Sequence, residues 1–599
     1  MSIQKYSVNQ HPIQTFLTWI KSGEIAIPEI QRPFVWNAAK VRDLIDSLYQ
    51  GYPVGYLIAW RNPTVRLKDG TSSQGKRVLI DGQQRVTALM AGILGIRIIN
   101  KDYQRVKITI AFQPQSRRFE VSNPAIGKDK AWIPDISEIF APEFKVLKFV
   151  SEYCDRNEAT NQDDIYESLE LLRSIVNNHL GLIELSSDLD IETVTEIFIR
   201  INSQGAVLNQ ADFAMSKIAA NETYGGNRLR KCIDYFCHLA VAPEFYQTLA
   251  DQDQEFAATD YFQKMSWLRH ENDDLYDPSY TDMLRVAFIS EFKRGRLEDL
   301  VALLSGRNFE TRTYEEAIAE ESFKKLEAGI VNFMNETNFK RFMMILRSAG
   351  FIDPSLIRSQ NTINFSYVLY LVLKSRNVAA NQIESFVRKW FVMSILTGRY
   401  SAGSPESVFD FDVRRIDEFG IEHYQSEVET AELSDAFWNA GLPQQMNTSV
   451  ASSPYFKVFL AAQVHSNDKG FLSKDITVRD LIVHRGDVHH VFPKQYLKQN
   501  DIPRGRYNQI ANYVMMQSEI NIQIGGKSPS KYFTQLQEQC DTEISIYGGI
   551  VGLDQMKENF VSHCIPSGME SETVEDYDGF LQERRKLIAH KIRDYYFRL

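Results

Sequence analysis

Apolar positions in the first 225 residues come in short runs broken by turn residues, which predicts alternating strands and helices rather than long amphipathic stretches. Residues 25–30 read as extended. Asn37 reads as the N-cap of a helix through AAKVRDLIDSLYQ that stops at Gly51. Residues 54–60 and 77–80 carry strand patterns, 86–94 a helical one, and 106–112 with 118–122 a hairpin around Pro-Gln-Ser. A strand at 180–185 and helices near 192–201 and 209–220 complete this α+β region. From 226 to 425 glycine and proline thin out. Helical periodicity then dominates, clearest at 314–332, 338–349, 365–374 and 381–396. GRYSAGSPES at 398–407 reads as a linker or loop. The pattern divides the chain into an α+β domain at 1–225, a mostly helical connector at 226–425 and a third domain at 426–599.

Composition changes this picture little. A chain of 599 residues exceeds one hydrophobic core, and 44% hydrophobic with 24% charged residues describes an ordinary folded protein. The apolar stretches at 86–96 and 365–373 are too short to span a bilayer, and the N-terminus lacks a signal-peptide core. A cytoplasmic protein without membrane contact is expected. Five cysteines with no CxxC pair predict reduced, mostly buried thiols. The net charge of −10 weighs against a nucleic-acid partner, but it is uneven. Between residues 471 and 531 nine Lys/Arg stand against five Asp/Glu, a local excess of four that can face phosphates.

Candidate chemistry concentrates in two places. His484, His489 and His490 fall within seven residues, in HRGDVHHVFPKQYLKQN, and an apolar run follows that carries Asn512 and Asn521. Phosphodiester hydrolysis needs a base titrating near neutrality and a cation to offset phosphorane charge. A hard cation that keeps several waters needs few protein donors, so one imidazole with one Asn oxygen suffices. Adjacent strand residues point to opposite faces, so His489 and His490 share a site only where the strand ends or bulges. In the N-terminal region RVLIDGQQRVTALMAGIL reads as strand, glycine turn and helix. Such a turn presents backbone N–H groups to an anion, with the Arg85 fork beside it. No Walker-type GxxxxGK[ST] is present. Trp36 and Phe34 read as core residues rather than base-stacking platforms, and Phe198, Ile199 and Ile201 as core by periodicity.

DVHHVFPKQYL followed by NYVMMQSEIN resembles the ββα-metal (HNH, His-Me finger) nuclease motif. The resemblance implies His490 as general base, with His489 and Asn521 as metal ligands. It implies Asn512 as the residue that staples the loop before the motif's helix, and Asp487 as a further ligand or a carboxylate orienting an imidazole. The order of the two histidine roles stays open. The paired zinc-binding cysteines of many HNH domains are absent from this sequence.

IPEIQRPFVW (27–36), IDGQQR (80–85) and FIRINSQGAVLNQADF (198–213) resemble the ParB/sulfiredoxin-like domain of the GmrS type. That domain is fused or paired to an HNH module in GmrSD-type, modification-dependent (type IV) restriction proteins. The resemblance implies nucleotide binding and hydrolysis by Asp81, Gly82, Gln83, Gln84 and Arg85. Gln31, Arg32, Arg200 and Asn202 are weaker candidates for the same pocket. The expectation is therefore a multidomain α+β protein: a ParB/sulfiredoxin-like NTP-binding domain, a helical connector and an HNH nuclease embedded in helices. It would use Mg²⁺ or Mn²⁺ and an NTP to cut double-stranded phage DNA carrying hydroxymethylated or glucosylated cytosine. A homodimer is left open. Rival readings are a nickase sensing a backbone modification such as phosphorothioate and a non-cleaving, nucleotide-responsive DNA-binding protein; an RNA-directed nuclease has no RNA-recognition motif behind it.

Overall fold

The computed structural model describes residues 5–26, 36–61, 77–99, 105–157, 160–186, 189, 193–194, 197, 210–221, 223–270, 275–401, 403–484, 486 and 488–599. They form two compact units, 1–230 and 231–599.

The first unit is built on a five-stranded sheet in the order Tyr6–Pro12, His179–Leu185, Tyr56–Arg61, Arg77–Asp81 and Ile25–Ala26. Pairing alternates along that order: antiparallel, parallel, antiparallel, parallel. Both faces of its central strands are covered. Leu57, Ala59 and Leu79 enter one large cluster, while Ile58, Trp60, Ile80 and Leu185 enter a second. A strand buried on both faces shows a continuous apolar run rather than alternation, which is the pattern of residues 54–60. Helices Ile13–Lys21, Ala38–Tyr49 and Gln83–Leu94 supply Phe16, Val41, Ile45, Val86 and Leu89 to the larger cluster. Asn37 caps the second of these, its side chain accepting from Lys40 N at 2.9 Å. Trp36 packs against the same cluster, whereas Phe34 and residues 198–201 lie outside the described residues.

Several expectations need correction. The run at 106–112 is not one strand: Arg105–Val106 and Ile110–Gln113 are separate, and only the second forms the hairpin with Arg118–Val121. The strand Tyr6–Pro12 was not anticipated, because five of its seven residues are exposed and it offers no apolar face to read. Helices Val146–Arg156 and Gln162–Ser174 were also missed. Of the extended run at 25–30 only Ile25–Ala26 is described, and of the helix at 192–201 only residues 193, 194 and 197.

The second unit is helical apart from one short hairpin and isolated bridges among its described residues. Glu316–Met334, Glu336–Ser348, Gln360–Ser375 and Ala380–Thr397 take the places read from periodicity. Gln360–Ser375 is buried on all sides from Thr362 to Leu373, which identifies it as a central helix. Within 398–407, residues 398–401, 403 and 404 form a loop, as one of the two readings had it, and Pro405 opens the helix Pro405–Phe419. Tyr400 is fully buried there, and Arg399 donates to the buried Asp412 through Nε at 2.8 Å and Nη2 at 2.5 Å. All five cysteines are free thiols, three of them buried. No helix of the described residues is long and apolar enough to cross a membrane.

The C-terminal helix Tyr577–Arg598 carries a fully buried guanidinium, Arg584. It donates to the carbonyls of Ala511 (2.7 Å), Tyr513 (2.9 Å) and His563 (3.0 Å). Burial pushes its pKa down to about 10, so it stays charged at neutral pH and is solvated by backbone dipoles instead of a carboxylate. Arg584→Met would keep the volume and remove every donor, leaving three buried carbonyls unsatisfied. At about 1 kcal/mol or more for each, the urea-unfolding midpoint of the full chain should fall by the equivalent of roughly 3 kcal/mol. An unchanged midpoint would refute this assignment.

Candidate active site

The hairpin of the second unit pairs Val488–His490 with Tyr513–Met515 in antiparallel register, Val488 opposite Met515, His489 opposite Val514 and His490 opposite Tyr513. After two intervening residues the helix Ser518–Ile524 begins, giving strand, strand and helix in that order. The register assigns the faces. Val514 shares a hydrophobic cluster with Ile520 and Ile524 of that helix, so His489, its cross-strand neighbour, leaves the ladder on the helix side. Asn521, one residue after Ile520, lies half-buried at the edge of the same packing. Its side chain has no hydrogen-bond partner among the described residues.

His490 leaves on the opposite face. Its ring meets the edge of Tyr513 at 5.2 Å between centroids, lies 6.5 Å from Tyr507, and bonds Asn508 Oδ1 through Nε2 at 3.1 Å. An amide oxygen can only accept, so Nε2 carries the proton and the lone pair sits on Nδ1. The ladder has no bulge, and it ends at His490. There Val491 N–H donates to Asn512 O at 2.9 Å and Phe492 N–H to Asn512 Oδ1 at 2.8 Å. Asn512 Nδ2 returns two bonds, to Phe492 O and Tyr507 O at 3.1 and 3.3 Å. This fully buried amide thus fixes where the chain turns away from the strand. Tyr532 OH adds a bond to Val491 O at 2.7 Å. Asp487 lies outside the described residues.

The donors on the helix side suit a hard divalent cation: an imidazole nitrogen and an amide oxygen leave most positions for water and phosphate oxygens. Among the described residues no group of three or more His, Cys, Asp and Glu side chains gathers as a metal cage, so a cation here would be held by few protein atoms.

In the first unit the strand Arg77–Asp81 turns through Gly82 into the helix Gln83–Leu94. Gly82 has φ +94°, where a side chain is strained, and a Cβ there would stand 2.3 Å from Leu57 Cδ2 and push that side chain aside, so the turn favours glycine. The first N–H groups of Gln83, Gln84 and Arg85 have no acceptor within their helix. Gln83 is buried, and Gln84 is engaged in contacts of its own. Arg85 is not a free surface cation. Its guanidinium donates to Tyr56 O and to Asp81 Oδ2, the latter at 3.3 Å, so an incoming phosphate competes with that carboxylate. Gln31, Arg32, Arg200 and Asn202 lie outside the described residues. Asn508, Tyr507 and Tyr513 were missed because no spacing in the sequence links them to His490.

Burial sets the titration of two imidazoles. His490 is lowered to about 4 by desolvation, against the stabilising bond from Asn508 and with Lys494 adding to the shift. His563, fully buried beside Lys469 O and Gln463, is lowered to about 3 by the same cause. Both stay neutral in the folded chain, whereas the unfolded chain protonates each near pH 6.5. Their stability contribution is complete above that value and is lost as the pH falls through the folded values. For His563 alone the slope is about 1.4 kcal/mol per pH unit between pH 6 and 4. Urea unfolding across that range should show His563→Gln with a shallower dependence by about one proton. Parallel curves would contradict the assignment.

The chain is 21% identical over 97% of its length to the uncharacterized protein MJ0686 of Methanocaldococcus jannaschii, 98% of which is covered. Residues 13–219, the span that holds four of the five strands of the sheet and the Gly82 turn, match the family model of the GmrSD restriction endonuclease N-terminal domain, and it is to that domain of a restriction endonuclease that the first unit is similar.

Proposed function

We propose that this protein is a nucleotide-regulated, metal-dependent DNA endonuclease of phage defence that cleaves double-stranded DNA with modified bases. The observation that carries the reading is the strand–strand–helix unit, in which His490 stands at the end of the ladder with its Nδ1 lone pair uncommitted while His489 and Asn521 share the helix side. The similarity of residues 13–219 to a restriction-endonuclease domain supports the DNA substrate and the defence role.

His490 Nδ1 would take the proton of a water whose oxygen attacks phosphorus, while the P–O bond to the leaving deoxyribose oxygen breaks and that oxygen takes a proton from solvent water. Asn508 holds the ring in the required tautomer. Asn512 and Arg584 keep the strand end in place. Because the ladder ends at His490, a phosphate at that strand end would meet both faces, and a Mg²⁺ or Mn²⁺ held by His489 and Asn521 would offset the charge that builds on it. Removal of a positioned general base costs about 10²–10⁴-fold in rate. His490→Ala should therefore lower plasmid cleavage by at least about 100-fold while leaving DNA affinity within a factor of two or so. Full activity in that variant would sink the assignment.

Nucleotide binding at Asp81–Arg85 would control cleavage. Hydroxymethylcytosine and glucosylated hydroxymethylcytosine are the modifications we infer, to be tested against matched unmodified DNA with each NTP and metal. Arg85→Ala should abolish nucleotide dependence. Full-rate, NTP-independent cleavage by that variant would argue against coupling. Open circles as the end product would favour a nickase that senses backbone modification. Absence of cleavage under every metal and nucleotide would favour a non-cleaving DNA-binding protein.

A further inference from the structure

Beside His490 the chain forms two short helices, Lys494–Gln499 and Arg504–Tyr507, and their charges are lopsided. Lys494, Lys498, Arg504 and Arg506 stand there against Asp501. Among the described residues only Arg506 of these has a carboxylate partner, Asp578. Lys494 and Lys498 are exposed one helical turn apart, and neither has a carboxylate partner among the described residues. Both ammonium groups converge on one ring: Nζ of Lys494 lies 5.9 Å and Nζ of Lys498 5.8 Å from the centroid of Tyr507. Tyr507 is 6% exposed, and the same ring lies 6.5 Å from the His490 ring, centroid to centroid.

The supporting helix is fixed. Leu497 is fully buried, and Tyr496 OH accepts from Val574 N at 3.1 Å. Two like charges near one aromatic ring, with no carboxylate partner among the described residues, repel each other, and an anion bridging them removes the cost. The ring face itself favours cations and so keeps both lysines over it. Through Tyr507 both ammonium groups lie on the side of the hairpin that carries the proposed base.

We propose that Lys494 and Lys498 form a phosphate clamp that seats the DNA backbone beside the scissile bond, with Tyr507 as its floor. The clamp rests on the nuclease reading of His490 and names the contacts that bring duplex DNA to it. They are positioning residues: they hold a phosphate and leave proton transfer to His490.

The test uses the full chain and compares wild type, K494Q/K498Q and K494R/K498R. Binding to a duplex is measured by fluorescence anisotropy in Ca²⁺ across a salt series, and plasmid cleavage is measured in Mg²⁺ and Mn²⁺. Two lost phosphate contacts should lower the slope of log affinity against log salt by about 1.8 and weaken binding by at least tenfold. The arginine pair should restore both, with circular dichroism and melting unchanged throughout. If wild type cleaves and K494Q/K498Q keeps its affinity and salt slope, the clamp is wrong and the nuclease reading stands. If wild type neither binds nor cleaves duplex DNA under any metal or nucleotide, both fall. Loss confined to duplex RNA would also overturn the proposal.

Discussion

The candidate site of the second unit depends on one buried cation. Arg584 sits on the C-terminal helix, yet its bonds end on the backbone around Asn512 and at His563. A guanidinium removed from water is tolerated only where its donors find acceptors, and here the acceptors are carbonyls on either side of the stapling asparagine. The consequence is geometric. Ala511 and Tyr513 cannot move without uncovering a charge, so Asn512 between them is held at both ends. Asn512 in turn fixes Val491 and Phe492, the residues at which the chain leaves the strand that carries both histidines. The position of His490 is thus inherited from a helix almost a hundred residues further along the chain.

A similar dependence holds in the first unit, with sterics in place of charge. Gly82 takes a left-handed conformation against the Leu57 side chain, so a residue with a Cβ would strain the turn from which the following helix starts. Arg85 then reaches back across the turn to Tyr56 O and Asp81, bracing strand to strand. The same residue that would meet a phosphate therefore stabilises the turn that presents it. Nucleotide binding at this turn would disturb that brace, which gives the proposed regulation a physical starting point inside the unit.

Much of this was legible in the sequence. The helix caps, the central helices of the second unit and the strands at 54–60, 77–80 and 180–185 follow from periodicity and turn chemistry, which are local properties. The wholly exposed part of Tyr6–Pro12 was not legible, because an edge strand held by backbone bonds leaves no apolar signature. Nor was the role of 398–407: its glycines and serines read as a linker or loop, which gives no sign that Arg399 and Tyr400 close on Asp412 once the helices have packed.

The candidate site divides in the same way. The sequence by itself determined the chemistry at hand, an adjacent histidine pair, two asparagines and a basic flank, because these lie within a few dozen residues and their types are fixed by the chain. Tertiary structure decided their geometry. Strand register sent His489 and His490 to opposite faces, packing put Val514 with Ile520 and so His489 on the helix side, and Asn508 selected the tautomer of His490. It also decided which cations are spent and which remain: Arg506 is held by Asp578, while Lys494 and Lys498 gather over Tyr507. A sequence states which groups exist, but desolvation and charge pairing depend on what stands next to each group, and only the folded chain fixes that.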